Sequence, residues 1–210
     1  GETAEMPDLY EENTYDLAGF SVGIVEENEI LGREKVHNGD ILIGLFSSGI
    51  HSNGYTLVRK ILEGYDLSKI YPGFDKSLIE ILMVPTKIYS KEIKFLKSTG
   101  SLNAVANITG GGLLENVSRV LPNELQANID PSTWDVPEIF KFLEKEGPVD
   151  RREMFRTFNM GIGMVVILDK EIYEKSIQDF DSNNIEYSII GKIVQNKNSE
   201  QKVVINGINS

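Results

Sequence analysis

Cysteine does not occur in the 210 residues. Its absence rules out a disulfide framework and a thiolate metal site, and it suits a reducing compartment. Histidine is scarce: His37 and His51 are the only two. Two imidazoles so placed make no metal site, no Asp or Glu cluster has ligand spacing, and no metal ligand is assigned. Trp134 is the lone tryptophan and reads as a packing residue ahead of a helix. No apolar run approaches the roughly 20 residues of a membrane span. Basic residues are also in deficit, 21 against 32 acidic ones, for a net charge of -11. That balance argues against nonspecific binding to nucleic acid or an anionic membrane, and a cytoplasmic chain without such partners is expected. An anionic small molecule would have to find local positive potential in backbone amides and a few arginines.

What remains is ordinary globular material, 40% hydrophobic and 25% charged, long enough for one sizeable core. Leu17 to Glu26 reads as a strand through Leu17, Phe20, Val22, Ile24 and Val25. The compact apolar run Ile41 to Phe46 fits a strand buried on both faces. It empties into Ser47 to Gly54, and a helix follows with Tyr55, Val58, Ile61 and Leu62 as its stripe and Ser52 or Asn53 as its cap. Tyr65 to Asp75 is a loop, and Leu78 to Val84 and Ile88 to Leu96 are helices broken at Pro85. Further strands are expected at Val105 to Thr109, Glu124 to Ile129, Met164 to Leu168, Tyr187 to Val194 and Gln201 to Ile205. Helices are expected after Gly112, after Pro137, over Asp150 to Arg156 and over Lys170 to Phe180. Alternating strands and helices point to a mixed α and β domain with helices covering a sheet.

Two loops share a design, small residues between an apolar strand and a helix: Ser47 to Gly54, and Thr109 to Gly112. If their strands are neighbours, both loops open at one sheet end, where α/β layers commonly hold ligands. Gly110, Gly111 and Gly112 let backbone approach a bound group, and the first amides of the following helix suit an anion such as phosphate. A glycine run also serves a sharp turn alone. His51 lies in the first loop and could exchange a proton near neutral pH, although a loop histidine can equally be a packing residue. Arg156, beside Phe158-Asn159, could fork onto a phosphate or pair on the surface. No lysine and Ser/Thr follow the glycines as in a Walker loop, and the dinucleotide fingerprint is absent.

Four segments, GETAEMP at 1 to 7, SSGIHSNGYTLVRKIL at 47 to 62, NITGGGLLENVSRVLP at 107 to 122 and RTFNMGIGM at 156 to 164, together resemble the phosphoribosylformylglycinamidine cyclo-ligase (AIR synthetase) family. The resemblance runs from Gly1 to about Val204. It implies that residues 1–16 lead from an amino-terminal ATP-binding domain, absent here, and that 17–210 form the carboxy-terminal α+β (α/β) domain, a three-layer α/β/α sandwich with a mixed sheet. It implies a homodimeric ligase of purine biosynthesis that uses ATP and Mg2+, mostly through the absent domain, so that this portion alone is close to inactive. The chemistry would convert an amide oxygen into a phosphate leaving group before an amine of the same phosphorylated substrate closes an imidazole ring.

By this resemblance Ser48, Gly49, Ser52, Asn53, Thr109, Gly110, Gly111, Gly112, Arg156 and Asn159 bind substrate or its phosphate. His51 is the catalytic candidate as a proton carrier, and Glu2 and Thr3 belong to the nucleotide-metal side. Asn107 departs from the pattern, which commonly has histidine there; asparagine hydrogen-bonds but does not titrate near pH 7. Two other readings stay open: a sister ATP-dependent enzyme of the same superfamily, and a noncatalytic module that senses a phosphorylated metabolite.

Overall fold

The computed structural model describes residues 19–197 and 201–208. Along the chain come β1 Ile41–Phe46, α1 Tyr55–Ile61, α2 Leu78–Leu82, α3 Ser90–Ser98, β2 Leu102–Asn107, α4 Gly112–Arg119, β3 Leu125–Ile129, α5 Glu138–Glu146, α6 Arg151–Thr157, β4 Ile162–Leu168, α7 Lys170–Ser182, β5 Tyr187–Gln195 and β6 Val203–Ile205. The strands form one sheet in the order β2-β4-β1-β5-β3-β6. Only β3 and β6 pair in parallel; the other neighbours are antiparallel. The sheet is therefore mixed, as expected.

Alternation along β1 builds the three layers. Leu42 faces a core shared with Val58 of α1, Leu113 and Val117 of α4, Phe140 of α5 and Phe155 of α6. Ile41, Ile43 and Leu45 face the other side, against Leu96 of α3 and Tyr173 and Phe180 of α7. A strand buried on both faces reads as a continuous apolar run, which is why ILIGLF was legible without any alternation. In α4, Leu113 and Val117 are buried one turn apart while Glu115 and Arg119 are exposed, the stripe expected of a helix laid on a sheet. Trp134 is buried, donates from Nε1 to the Met160 carbonyl at 2.9 Å and meets Phe155 edge-on, so it is a packing residue.

The expected strand at Leu17 to Glu26 is not found: residues 19–26 carry no regular element. Phe20, Val22 and Ile24 alternate as a strand would but are exposed. Alternation marks one apolar face, whereas a strand needs a hydrogen-bonded neighbour, and nothing in the local pattern shows whether one exists. Leu17 and Ala18 lie outside the described residues. Contacts divide the chain at Ile30/Leu31, and in the first unit the regular structure among the described residues is one turn of 3-10 helix, Glu27–Glu29. No helix among the described residues is long and apolar enough to cross a membrane.

Ahead of β1, the Asp40 carboxylate is buried and accepts the His37 amide and the Asn103 Nδ2, both at 2.9 Å. Burial pushes its pKa up, and the two hydrogen bonds oppose that push without cancelling it. An acid raised in the folded state binds more protons there than when unfolded, so its contribution to stability falls as pH climbs from the ordinary carboxylate range through the raised value. Asp40→Asn should therefore cost less than about 1 kcal/mol at pH 7. The stability difference, wild type minus variant, should decrease steadily over that interval in melts taken at a series of pH values. A difference that stays flat with pH would remove Asp40 from the acid response.

Candidate functional site

β1 and β2 are not neighbours, as the loop argument supposed; β4 lies between them and runs antiparallel to both. The two loops nevertheless open at one sheet end, because β1 and β2 point the same way. The intervening strand adds a third segment, since the start of β4 comes to that same end. Ser47 donates its amide to the Gly161 carbonyl at 2.8 Å, and Ile108 donates to Gly163 at 3.0 Å. Asn53 Oδ1 stands 3.8 Å from the point a Cβ on Gly110 would occupy, so the 47–54 loop and the glycine turn face each other.

Asn159 is the hub. Its Nδ2 donates to the carbonyls of Gly49 at 2.8 Å and Ile50 at 3.1 Å, and its Oδ1 accepts from the Gly161 amide at 2.8 Å and the Ser47 hydroxyl at 3.0 Å. With its side-chain amide engaged in this way and the residue 3% exposed, Asn159 shapes the site. Two residues near it hold positive φ without being glycine, His51 at 63° and Met160 at 51°. Such backbone costs on the order of 1 kcal/mol and persists only where surrounding bonds fix it, as the Trp134 bond to Met160 does.

His51 is 6% exposed. Its Nε2 accepts the Ser48 amide at 3.1 Å, with the Lys87 amide farther off at 3.5 Å. Burial lowers its pKa first and the Lys87 charge lowers it further. Tyr89 packs tilted against the imidazole, 6.3 Å between centroids, and donates to the Phe46 carbonyl at 2.9 Å. A Cβ on Gly163 would lie 2.0 Å from the Tyr89 hydroxyl and 2.5 Å from His51 Cε1. This glycine in β4 leaves room for the two rings. Neither Ser52 nor Asn53 caps α1: the cap is Gly54 at φ 83°, with no side-chain hydrogen bond, because a Cβ there would lie 2.3 Å from the Phe158 ring. Ser52 instead pairs with Thr86 at 3.1 Å, and Ser48 Oγ donates to the Pro85 carbonyl at 2.7 Å. The 85–87 segment is thus a further wall. Its residues were missed because Pro85 was read only as a helix breaker.

At the glycine turn, Gly112 donates to the Thr109 carbonyl at 2.9 Å. Asn116, buried in α4, donates from Nδ2 to the carbonyls of Thr109, Gly110 and Gly112 at 3.2, 3.2 and 2.8 Å. Sequence reading passed over Asn116 as one polar residue in an amphipathic helix; a buried position on the apolar face was the available signal. Arg156 lies at the rim, its side chain 61% exposed, 3.9 Å from Glu115 and 3.7 Å from Glu153. Glu115 leans over Gly111, so an anion at the turn meets a carboxylate as well as amides, and Arg156 supplies the compensating charge. Asn107 is exposed at the end of β2. Glu2 and Thr3 lie outside the described residues.

A cleft of about 360 Å³ lies elsewhere, between α4 and β6, touched by Glu115, Ser118, Arg152 and Lys202. It shares only Glu115 with the residues that converge at the strand ends, and the hydrogen-bond geometry locates the candidate site better than cavity size does. Among the described residues no group of three or more His, Cys, Asp or Glu side chains could hold a metal ion.

The model of the AIR synthase related protein, C-terminal domain, matches residues 37–204. The chain belongs to this family. Phosphoribosylformylglycinamidine cyclo-ligase of Coxiella burnetii is 48% identical over 205 residues, which cover 98% of this chain and 58% of that protein. The trifunctional purine biosynthetic protein adenosine-3 of Bos taurus is 46% identical over 199 residues, 92% of this chain and 20% of that one. The chain thus spans about three fifths of the curated cyclo-ligases it matches. In fold it is similar to thiamine-monophosphate kinase from Stenotrophomonas maltophilia, with a TM-score of 0.58, 16% identity, and coverage of 89% of this chain and 56% of that one.

Proposed function

We propose that this chain is the substrate-binding, carboxy-terminal part of an ATP-dependent cyclo-ligase that converts formylglycinamidine ribonucleotide and ATP into aminoimidazole ribonucleotide, ADP and phosphate. The observation that carries the reading is the meeting of Ser47–Asn53, Thr109–Gly112 and Asn159–Gly163 at one sheet end, in a chain nearly half identical to curated cyclo-ligases. The ring closure needs a better leaving group than an amide oxygen. ATP phosphorylates that oxygen, an amine nitrogen of the same substrate attacks the carbon, and the C–O bond breaks to release phosphate.

The part played by these residues is positioning. The open backbone at Gly110 and the first amides of α4 suit the ribonucleotide phosphate, Asn53 and Ser52 face it from the other loop, and Arg156 offsets Glu115. Magnesium would accompany ATP. The described residues do not assemble a carboxylate site for it. ATP binding, the contribution of Glu2 and Thr3, a homodimeric assembly and a cytoplasmic setting belong to the same proposal. Calorimetry of this chain should give heat with formylglycinamidine ribonucleotide. Heat from ATP alone and none from the ribonucleotide would reverse the division of labour. Failure of the complete gene product to form aminoimidazole ribonucleotide would sink the assignment.

A further inference from the structure

We propose that His51 presents a neutral Nδ1–H to the site as a fixed hydrogen-bond donor for a substrate oxygen, and does not carry a proton through the reaction. The geometry of the other nitrogen leads there. Nε2 accepts the Ser48 amide, with the Lys87 amide on the same side. An N–H donor pointing at a ring nitrogen requires a lone pair there, so the ring proton of the neutral imidazole sits on Nδ1. A doubly protonated ring would set Nε2–H against the Ser48 N–H and break the contact that closes the 48–51 turn.

Nδ1 makes no hydrogen bond to the described residues, yet among them no buried side-chain nitrogen or oxygen lacks a partner. Nδ1 therefore reaches the solvent-accessible surface, although the residue as a whole is 94% covered. The charged and titratable groups around the ring point the same way. Lys87 lies beside it, paired with Glu92 at 3.6 Å, and the Tyr89 hydroxyl is occupied by the Phe46 carbonyl. Burial and Lys87 both oppose the imidazolium. The left-handed backbone at His51 and the missing Cβ at Gly163 place the ring in this orientation. A donor held neutral can face a phosphoryl or amide oxygen at any pH at which the enzyme works. It gives up no proton, because Nε2 has no route to take one while Ser48 occupies it.

The inference rests on the cyclo-ligase reading only for the identity of the acceptor, and its first test needs no ligand. In the 15N-labelled protein, with a His37→Gln variant to assign the two rings, His51 should show protonated Nδ1 and bare Nε2 at pH 7.5. That state should persist below pH 6.5, the ordinary imidazole value. A proton on Nε2, or titration at or above that value, overturns the proposal whatever the chain binds. The second test uses formylglycinamidine ribonucleotide and calorimetry on variants whose melts are cooperative. His51→Asn suits the left-handed backbone and retains an N–H near the Nδ1 position, so affinity should stay within about threefold, whereas His51→Ala should lose about tenfold. Equal affinity of both variants to wild type overturns the donor role. Absence of any heat from the wild-type chain, with the tautomer as stated, counts against the ribonucleotide reading and leaves the ring assignment standing.

Discussion

Gly112→Ala should lower the melting temperature by roughly 5–20 °C, while Gly110→Ala, two residues earlier, should leave it nearly unchanged. Gly112 has φ 57°, and a Cβ there would lie 2.0 Å from the Phe155 carbonyl oxygen and 2.9 Å from its carbon. A left-handed backbone costs an alanine about 1–2 kcal/mol. The clash is with backbone, which cannot swing aside, so α4 and α6 must separate at a cost of about 1–3 kcal/mol. For a domain of this size each kcal/mol moves the midpoint by about 2–4 °C. At Gly110 the nearest atom to a new Cβ is Asn53 Oδ1 at 3.8 Å, an ordinary contact. Alanine there fills the gap between the two loops, so the expected loss is in ribonucleotide affinity. Paired melts and titrations of the two variants separate them. Equal melting temperatures would mean that the α4–α6 approach is not what the third glycine serves.

The contrast shows what three consecutive glycines could and could not reveal as letters. Their position between strand and helix was readable, and so was the presence of the strand. Yet it runs over Leu102–Asn107 and not Val105 to Thr109, because Leu102, Ala104 and Ala106 are buried in alternation with Asn103 between them. Ile41–Phe46, buried on both faces, was legible with its bounds. Which glycine serves packing and which leaves open backbone depends on Phe155 and Asn53, 43 and 57 positions away from their respective glycines, and no local pattern encodes those approaches. The same holds for Gly163 and Tyr89. The loop pair was legible as two strand-to-helix turns, but the β4 segment between them was not, since strand order is a property of the whole sheet. Asn159 was recognisable as a site residue through its motif. That its amide bonds inward to four backbone and side-chain groups appears only in the fold.

Asn159→Asp should destabilise the protein by about 3–5 kcal/mol at pH 7.5, and the gap from wild type should narrow at pH 4.5. The substitution hardly changes volume and keeps an acceptor for the Gly161 amide and the Ser47 hydroxyl, at 2.8 and 3.0 Å. It replaces the Nδ2 donor, which serves the Gly49 and Ile50 carbonyls, with a second oxygen. An ionised carboxylate at a position 3% exposed then confronts two carbonyl oxygens, so its pKa in the folded protein must rise. Between the ordinary carboxylate pKa and the raised one the folded state holds the extra proton, and stability falls as pH increases. Acid restores one O–H donor for one of the two carbonyls, and for that reason the gap closes only in part. Melts of both proteins at the two pH values measure it. An equal gap at both would show that the loss came from shape and not from the missing donor. Because the same two carbonyls anchor the turn that carries His51, the variant should also lose ribonucleotide binding under conditions in which it remains folded.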